Sequence, residues 1–158
     1  MNRKALLIVL TLAVVILATP YVGMVYATSS ITVSGTIVLV GVIPVEVITK
    51  GKSDNQVMIM DLTEDWQGGI EGISTTLAVW IVHGGYETGL NVHEKLAFET
   101  ATVMGKSGSL LLELNIEAPD GHWTIIGGTD ELANLHGQGT LSLAAMPYSY
   151  TGQVHFAP

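Results

Sequence analysis

The chain has 158 residues, almost half of them hydrophobic, and a formal net charge of −8 from 6 basic and 14 acidic residues. That is enough apolar side chain for one sizeable core, but too few cations to neutralise a run of phosphates, so nucleic-acid partners are excluded and anionic membrane surfaces disfavoured. With no cysteine at all, disulfide frameworks, thiol nucleophiles and cysteine-linked lipid anchors are excluded too.

The first element in chain order is a leader. Arg3 and Lys4 form a short positive region, Ala5 to Ala18 is an apolar run, and Val25-Tyr26-Ala27 ends in a residue small enough for a signal peptidase. The pattern predicts a signal peptide over 1–27, cleaved after Ala27, and a secreted or extracytoplasmic product. An uncleaved anchor is the alternative, because Ala5 to Ala27 is nearly long enough to span a bilayer. Cleavage removes Arg3 and Lys4, makes the rest of the chain two units more negative, and leaves residues 28–158 as one domain with no membrane attachment.

Beyond Ala27 no helix-period segment of any length occurs; the apolar residues recur with period two. Residues 31–48 read as a long strand, apolar on both faces and bent or interrupted at Gly41 and Pro44. After a loop at 50–55, strands are expected at 56–62, 69–73 and 75–83, the last apolar on both faces and therefore expected to be buried on both. A loop at 83–89 leads to a strand within 92–103, and a tight turn at 105–108 leads to 110–117. There Leu110, Leu112, Leu114 and Ile116 face one way; Leu111, Glu113, Asn115 and Glu117 face the other. A turn at 119–121 precedes a strand at 122–126. Gly127-Gly128 then predicts a sharp exit with positive φ. Residues 130–135 allow one helical turn, with Leu132 and Leu135 plugging one end of the core, and Gly137 and Gly139 predict a close backbone approach. Strands at 139–145 and 148–156 finish the chain. Tyr148, Tyr150, Gly152, Val154 and Phe156 share one face of the last.

The expectation is an all-β protein: a single closed antiparallel β-barrel of about eight strands, calycin-like, favoured over a sandwich because glycines inside strands suit the sharp coiling of a small barrel.

Catalytic motifs are missing. Gly-Lys-Ser occurs at Gly51 and Gly105, but a phosphate loop needs glycine where Glu46 and Thr100 stand. No serine lies in Gly-x-Ser-x-Gly. The histidines (83, 93, 122, 136, 155) form no i, i+2 or i, i+4 pair, so no local metal motif exists; no metal and no cofactor are expected. His93 and Glu99 share a strand face that Glu94 does not. Glu99 and Glu113 are the candidate catalytic carboxylates, on condition that their faces line an interior where burial raises a carboxyl pKa. The all-leucine face opposite Glu113 points instead to solvent for that side.

Ser34-Gly35-Thr36, then "WQGGIEG" from Trp66 to Gly72, "GKSGSLLLEL" from Gly105 to Leu114 and "WTIIGGTDELANLHGQGTL" from Trp123 to Leu141 follow in order. This ordered set resembles the allene oxide cyclase-like barrel superfamily, and within it a bacterial family of unassigned function, with dirigent proteins as distant relatives. One position departs: Asp130 stands where the family usually has glycine. The resemblance implies the barrel fold and two functional expectations. The first is non-catalytic binding of a small apolar or aromatic ligand, with Trp66, Trp80 and Trp123 as candidate contacts. The alternative is a cyclase, isomerase or dirigent-like enzyme acting in the barrel cavity. A homo-oligomer is also expected, because 36–48 and 75–83 carry apolar residues on both faces. The outward set of the first, Val38 and Val40, is placed near the interface, and 75–83 could lie beside it.

Overall fold

The computed structural model describes residues 29–49, 55–84 and 89–158. The expected leader and most of the loops at 50–55 and 83–89 lie outside the described residues. Eight strands follow in order: β1 (Ile31–Thr49), β2 (Gln56–Gly68), β3 (Ile70–Val82), β4 (Leu90–Val103), β5 (Lys106–Glu117), β6 (Asp120–Gly128), β7 (Leu135–Ser142) and β8 (Tyr148–Phe156). A 3₁₀ turn, Asp130–Leu132, stands between β6 and β7. Each strand pairs antiparallel with its neighbours in sequence, and β1 pairs with β8 to close the barrel. Closure satisfies both edges of the sheet over Ile31–Ile37 of β1, and beyond Ile37 β1 is paired with β2 alone among the described residues.

The alternating pattern dictates which side chains fill the interior. Leu110, Leu112, Leu114 and Ile116 of β5 are buried, while Glu113, Asn115 and Glu117 face outward, as the sequence predicted. The expected strands 69–73 and 75–83 are one strand, β3, because Gly72 takes a positive φ and bulges without ending the ladder. The outer face of β3 is also not buried within the chain: Ile73 and Leu77 are exposed, Leu77 by 65%, and Ile43 on the outer face of β1 is exposed with them. Nor do those two strands touch along their length, because β2 lies between them.

One end of the barrel is sealed by aromatic packing. Trp66 meets the Phe98 ring edge-on at 5.8 Å and the Tyr150 ring at 4.9 Å, and Trp123 meets Tyr150 edge-on at 6.3 Å. The Tyr150 hydroxyl accepts from the Ile70 N–H at 2.7 Å and donates to the Ile70 carbonyl at 3.0 Å, which ties β8 to the start of β3 across the base. Leu132 and Leu135 close this end, both buried, as the helical turn predicted.

The glycines around them answer to space more than to dihedral angle. A Cβ on Gly139 would stand 2.5 Å from the Trp123 indole, and one on Gly152 only 2.3 Å. The β7–β8 pair is bare there so that the indole can lie across it. Gly127 and Gly128 do not take the predicted positive φ; Asp130 does, at 53°. Gly128 is required because a Cβ there would stand 2.5 Å from the Leu132 carbonyl oxygen.

Candidate functional site

The opposite end of the barrel holds a small cavity. It measures about 50 Å³ and is walled by Leu62, Val92, Leu114, Ile116 and Leu141 below, with Leu39, Trp80, Leu90, Leu143 and Tyr148 around its rim. The rim residues are only half-buried, so the cavity reaches the surface between them.

Two carboxyl groups line it, Glu64 of β2 and Glu94 of β4. They are 4% and 3% exposed. Alternation puts them there: Glu64 shares its face with Leu62 and Trp66, and Glu94 shares its face with Val92, Leu96 and Phe98, all buried. Their environments differ. Glu64 Oε2 accepts from Trp66 Nε1 at 2.9 Å and from Ser74 Oγ at 3.3 Å. Glu94 Oε2 is buried with no hydrogen-bond partner among the described residues, and so is Thr76 Oγ1. A buried polar atom without a partner is costly, and one facing a cavity marks a place where a ligand or water belongs.

Burial raises both pKa values above the usual carboxylate range. For Glu64 the two donors from Trp66 and Ser74 oppose the rise. For Glu94 nothing opposes it, and the Glu64 charge adds to burial, so the group is pushed up to about 8. At neutral pH Glu94 therefore carries a proton, while the donors from Trp66 and Ser74 favour the charged form of Glu64 against its burial. A neutral carboxyl in an apolar wall can donate a hydrogen bond, or the proton itself, to an oxygen placed in the cavity.

The carboxylates expected from sequence are elsewhere. Glu99 is exposed on the outer face of β4, and Glu113 stands on the outer face of β5. Glu113 Oε1 lies 3.8 Å from His93 Nε2, whose Nδ1 is 2.7 Å from Asn115 Oδ1. Neither carboxylate reaches the interior, so neither can act in the cavity; strand parity sends both outward. Of the three tryptophans, only Trp80 lines the cavity; Trp66 and Trp123 are sealed in the core. Trp66 acts on the site through its hydrogen bond to Glu64. No cluster of three His, Asp or Glu side chains suited to a metal ion occurs among the described residues.

This barrel, with glycine-lined strands and a plugged base, agrees with a comparison of the sequence against known families. The model for "Protein of unknown function (DUF3224)" matches residues 39–151. The chain belongs to the DUF3224 family. A crystal structure of a DUF3224 protein of unknown function from Shewanella oneidensis MR-1 superposes with a TM-score of 0.65 at 17% identity, covering 82% of this chain and 99% of that one. The pterocarpan synthase dirigent protein GePTS1 covers 89% of this chain and 96% of its own, at 13% identity and a TM-score of 0.48. No curated protein matches the sequence. At these identities the first likeness shows the barrel alone, so the site has to be argued from this DUF3224 chain's own residues.

Proposed function

We propose that this chain is an exported barrel protein that binds a small apolar or aromatic molecule at the open end of the barrel, without transforming it. The observation that carries the reading is Glu94 Oε2, a buried carboxyl oxygen without a partner among the described residues, on the wall of a cavity lined by apolar side chains apart from Glu64, whose Oε2 already accepts from Trp66 and Ser74, and Tyr148 at the rim. Such a wall selects an apolar body carrying one hydrogen-bond acceptor, such as a carbonyl or ether oxygen. The cavity of about 50 Å³ is smaller than any organic ligand of that kind. Binding therefore requires the half-buried rim side chains, Leu143 and Tyr148 foremost, to swing outward.

A matched pair of probes tests this. Acetophenone and cumene have nearly the same shape, but only the ketone accepts a hydrogen bond. One hydrogen bond of about 0.5–1.5 kcal/mol favours the ketone by roughly two- to tenfold. Titration followed by Trp80 fluorescence is expected to show that preference and to lose it in Glu94→Leu. Equal binding of the two probes, or a preference that survives Glu94→Leu, overturns the reading.

A second reading rests on the Glu64–Glu94 pair itself. Two buried carboxyl groups with raised pKa values and different hydrogen-bond support are the equipment of an acid–base catalyst, so an isomerase or cyclase acting on a bound oxygenated substrate is the alternative. Conversion of a bound ketone or enol ether, abolished in Glu94→Gln while binding persists, would favour it.

A further inference from the structure

We infer that the unpaired edge of β1 is an interface between two copies of this chain, joined as antiparallel strands about a two-fold axis. β1 is the longest strand, and its two sides are unequally used. It pairs with β2 from Gly35 to Thr49, but with β8 only from Ile31 to Ile37, where β8 begins at Tyr148. From Val38 to Thr49 its second edge has no strand beside it among the described residues. Backbone N–H and C=O groups along such an edge form a template for another strand.

The side chains of this run agree with that. Eight of its twelve residues are β-branched, and its single charge is Glu46. Edge strands that stay solitary are usually guarded by charge, proline or bulges; this run has no lysine, and Pro44 and the two bulges interrupt the edge only locally. Here Val40, Ile43 and Val45 are 56%, 62% and 59% exposed, and Val42, Val47 and Ile48 are exposed as well. Register places them on both faces. Val42, Pro44 and Val47 pair with Leu62, Met60 and Met58 on the interior side, whereas Ile43 and Ile48 pair with Asp61 and Val57 on the outer side. Burying one face only would leave the other wet. A second strand alongside covers both, because its side chains also alternate.

The identity of the occupant follows from closure. An open edge is satisfied by another open edge, and in this barrel no other strand offers one of comparable length among the described residues. Two copies therefore meet through the same strand, and a strand related to itself by a two-fold axis is necessarily antiparallel. The exposed apolar residues from Val38 to Ile48 present on the order of 600 Å² per copy, the most that β1 itself can contribute towards the roughly 800 Å² per partner of a standard interface. Pro44 has no N–H to give, and β-bulges lie between Leu39 and Gly41 and between Pro44 and Glu46, so the ladder is expected in two short stretches on either side of them. Leu39 lies on this edge and also on the cavity rim, so the second copy would shield the rim on that side.

The absence of cysteine makes the test direct. Single substitutions Val42→Cys, Ile43→Cys and Val45→Cys are compared with Leu77→Cys, which sits on the exposed outer face of β3. Self-pairing about a two-fold axis predicts oxidative cross-linking that peaks at one of the β1 positions and is absent at Leu77. Sedimentation of the purified chain at micromolar concentration is expected to show a dimer, and the double variant Ile43→Lys, Val45→Lys to dissociate at least tenfold more readily with an unchanged circular dichroism spectrum. A monomeric chain overturns the inference, including the case in which its own first 28 residues cover the edge. Cross-linking at Leu77 in place of β1 also overturns it, in favour of a dimer packed face to face.

Discussion

At the scale of single residues, Glu94 has the clearest consequence. Its ordinary carboxyl pKa of 4.5 is pushed to about 8 by burial and by the Glu64 charge. The folded state therefore holds a proton that the unfolded chain releases at a lower pH. Between about 4.5 and about 8 the folded chain binds more protons than the unfolded one, so stability falls as pH rises across that window and levels off above it. Urea midpoints at pH 5 and pH 8 measure the difference. The midpoint is expected to be lower at pH 8, and Glu94→Gln to remove most of that loss by removing the titration. An unchanged pH dependence in Glu94→Gln would place the titrating group elsewhere. A second residue-scale expectation concerns Gly152, where an added methyl would stand 2.3 Å from the Trp123 indole and 2.4 Å from the Gln138 carbonyl oxygen. Neither neighbour is the free end of a flexible side chain. Gly152→Ala is expected to cost about 1–3 kcal/mol by overpacking, read from thermal or urea unfolding.

At the scale of elements, the 3₁₀ turn and the hairpins show how local chemistry sets the barrel's geometry. Met104 and Gly105 both have positive φ, at 56° and 76°, and connect the Val103–Lys106 pair as a two-residue turn whose twist matches that of the strands. The turn at Asp130 places Leu132 in the base of the barrel, fully buried. Leu132→Ala is expected to cost about 2–5 kcal/mol, because the closed base leaves little room for neighbours to collapse into the space. Asp130 holds a left-handed conformation in which its carboxylate accepts from Thr129 Oγ1 at 2.8 Å. Alanine there loses both the local bond and the tolerance of positive φ, so Asp130→Ala is expected to cost about 1 kcal/mol while Asp130→Gly costs less. Differential scanning calorimetry of the two variants side by side reads the order.

At the scale of the whole molecule, one ring of strands encloses one core that runs from the aromatic base to the carboxyl-lined cavity. No strand can leave without opening the ring, and Trp66, Trp80 and Trp123 sample both halves of the interior. Unfolding in urea is therefore expected to be a single transition, with tryptophan fluorescence and far-ultraviolet circular dichroism superimposing. Separate midpoints for the two signals would mean that the cavity end opens before the base. The same division gives the barrel its uneven character: the base is filled by side chains and spends its polar groups on fixed bonds, while the other end keeps a cavity and an unmatched carboxyl oxygen.

The sequence alone was enough to specify the barrel. Period-two alternation, the glycine spacing and the turn residues are local properties, and they were enough for the all-β ring, the Leu132 plug and the outward face of β5, but not for the bulge at Gly72 that joins two expected strands into β3. The ordered glycine motifs were enough for the family. The two cavity carboxyls were legible in principle: Glu64 in Leu62-x-Glu64-x-Trp66 and Glu94 in Val92-x-Glu94-x-Leu96 both occupy apolar phases of their strands. A charge in an apolar phase reads locally as a flaw in the pattern, whereas Glu99 and Glu113 occupy polar phases, the ordinary place for a carboxylate, and face water. Only the assembled sheet decided that Glu64 and Glu94, thirty residues apart on strands separated by β3, share one desolvated space in which the Glu64 charge raises the Glu94 pKa. The exposure of β1 and β3 was likewise decided by tertiary structure, because a residue's alternation says which side of a strand it takes, and only the assembled barrel says what stands on that side.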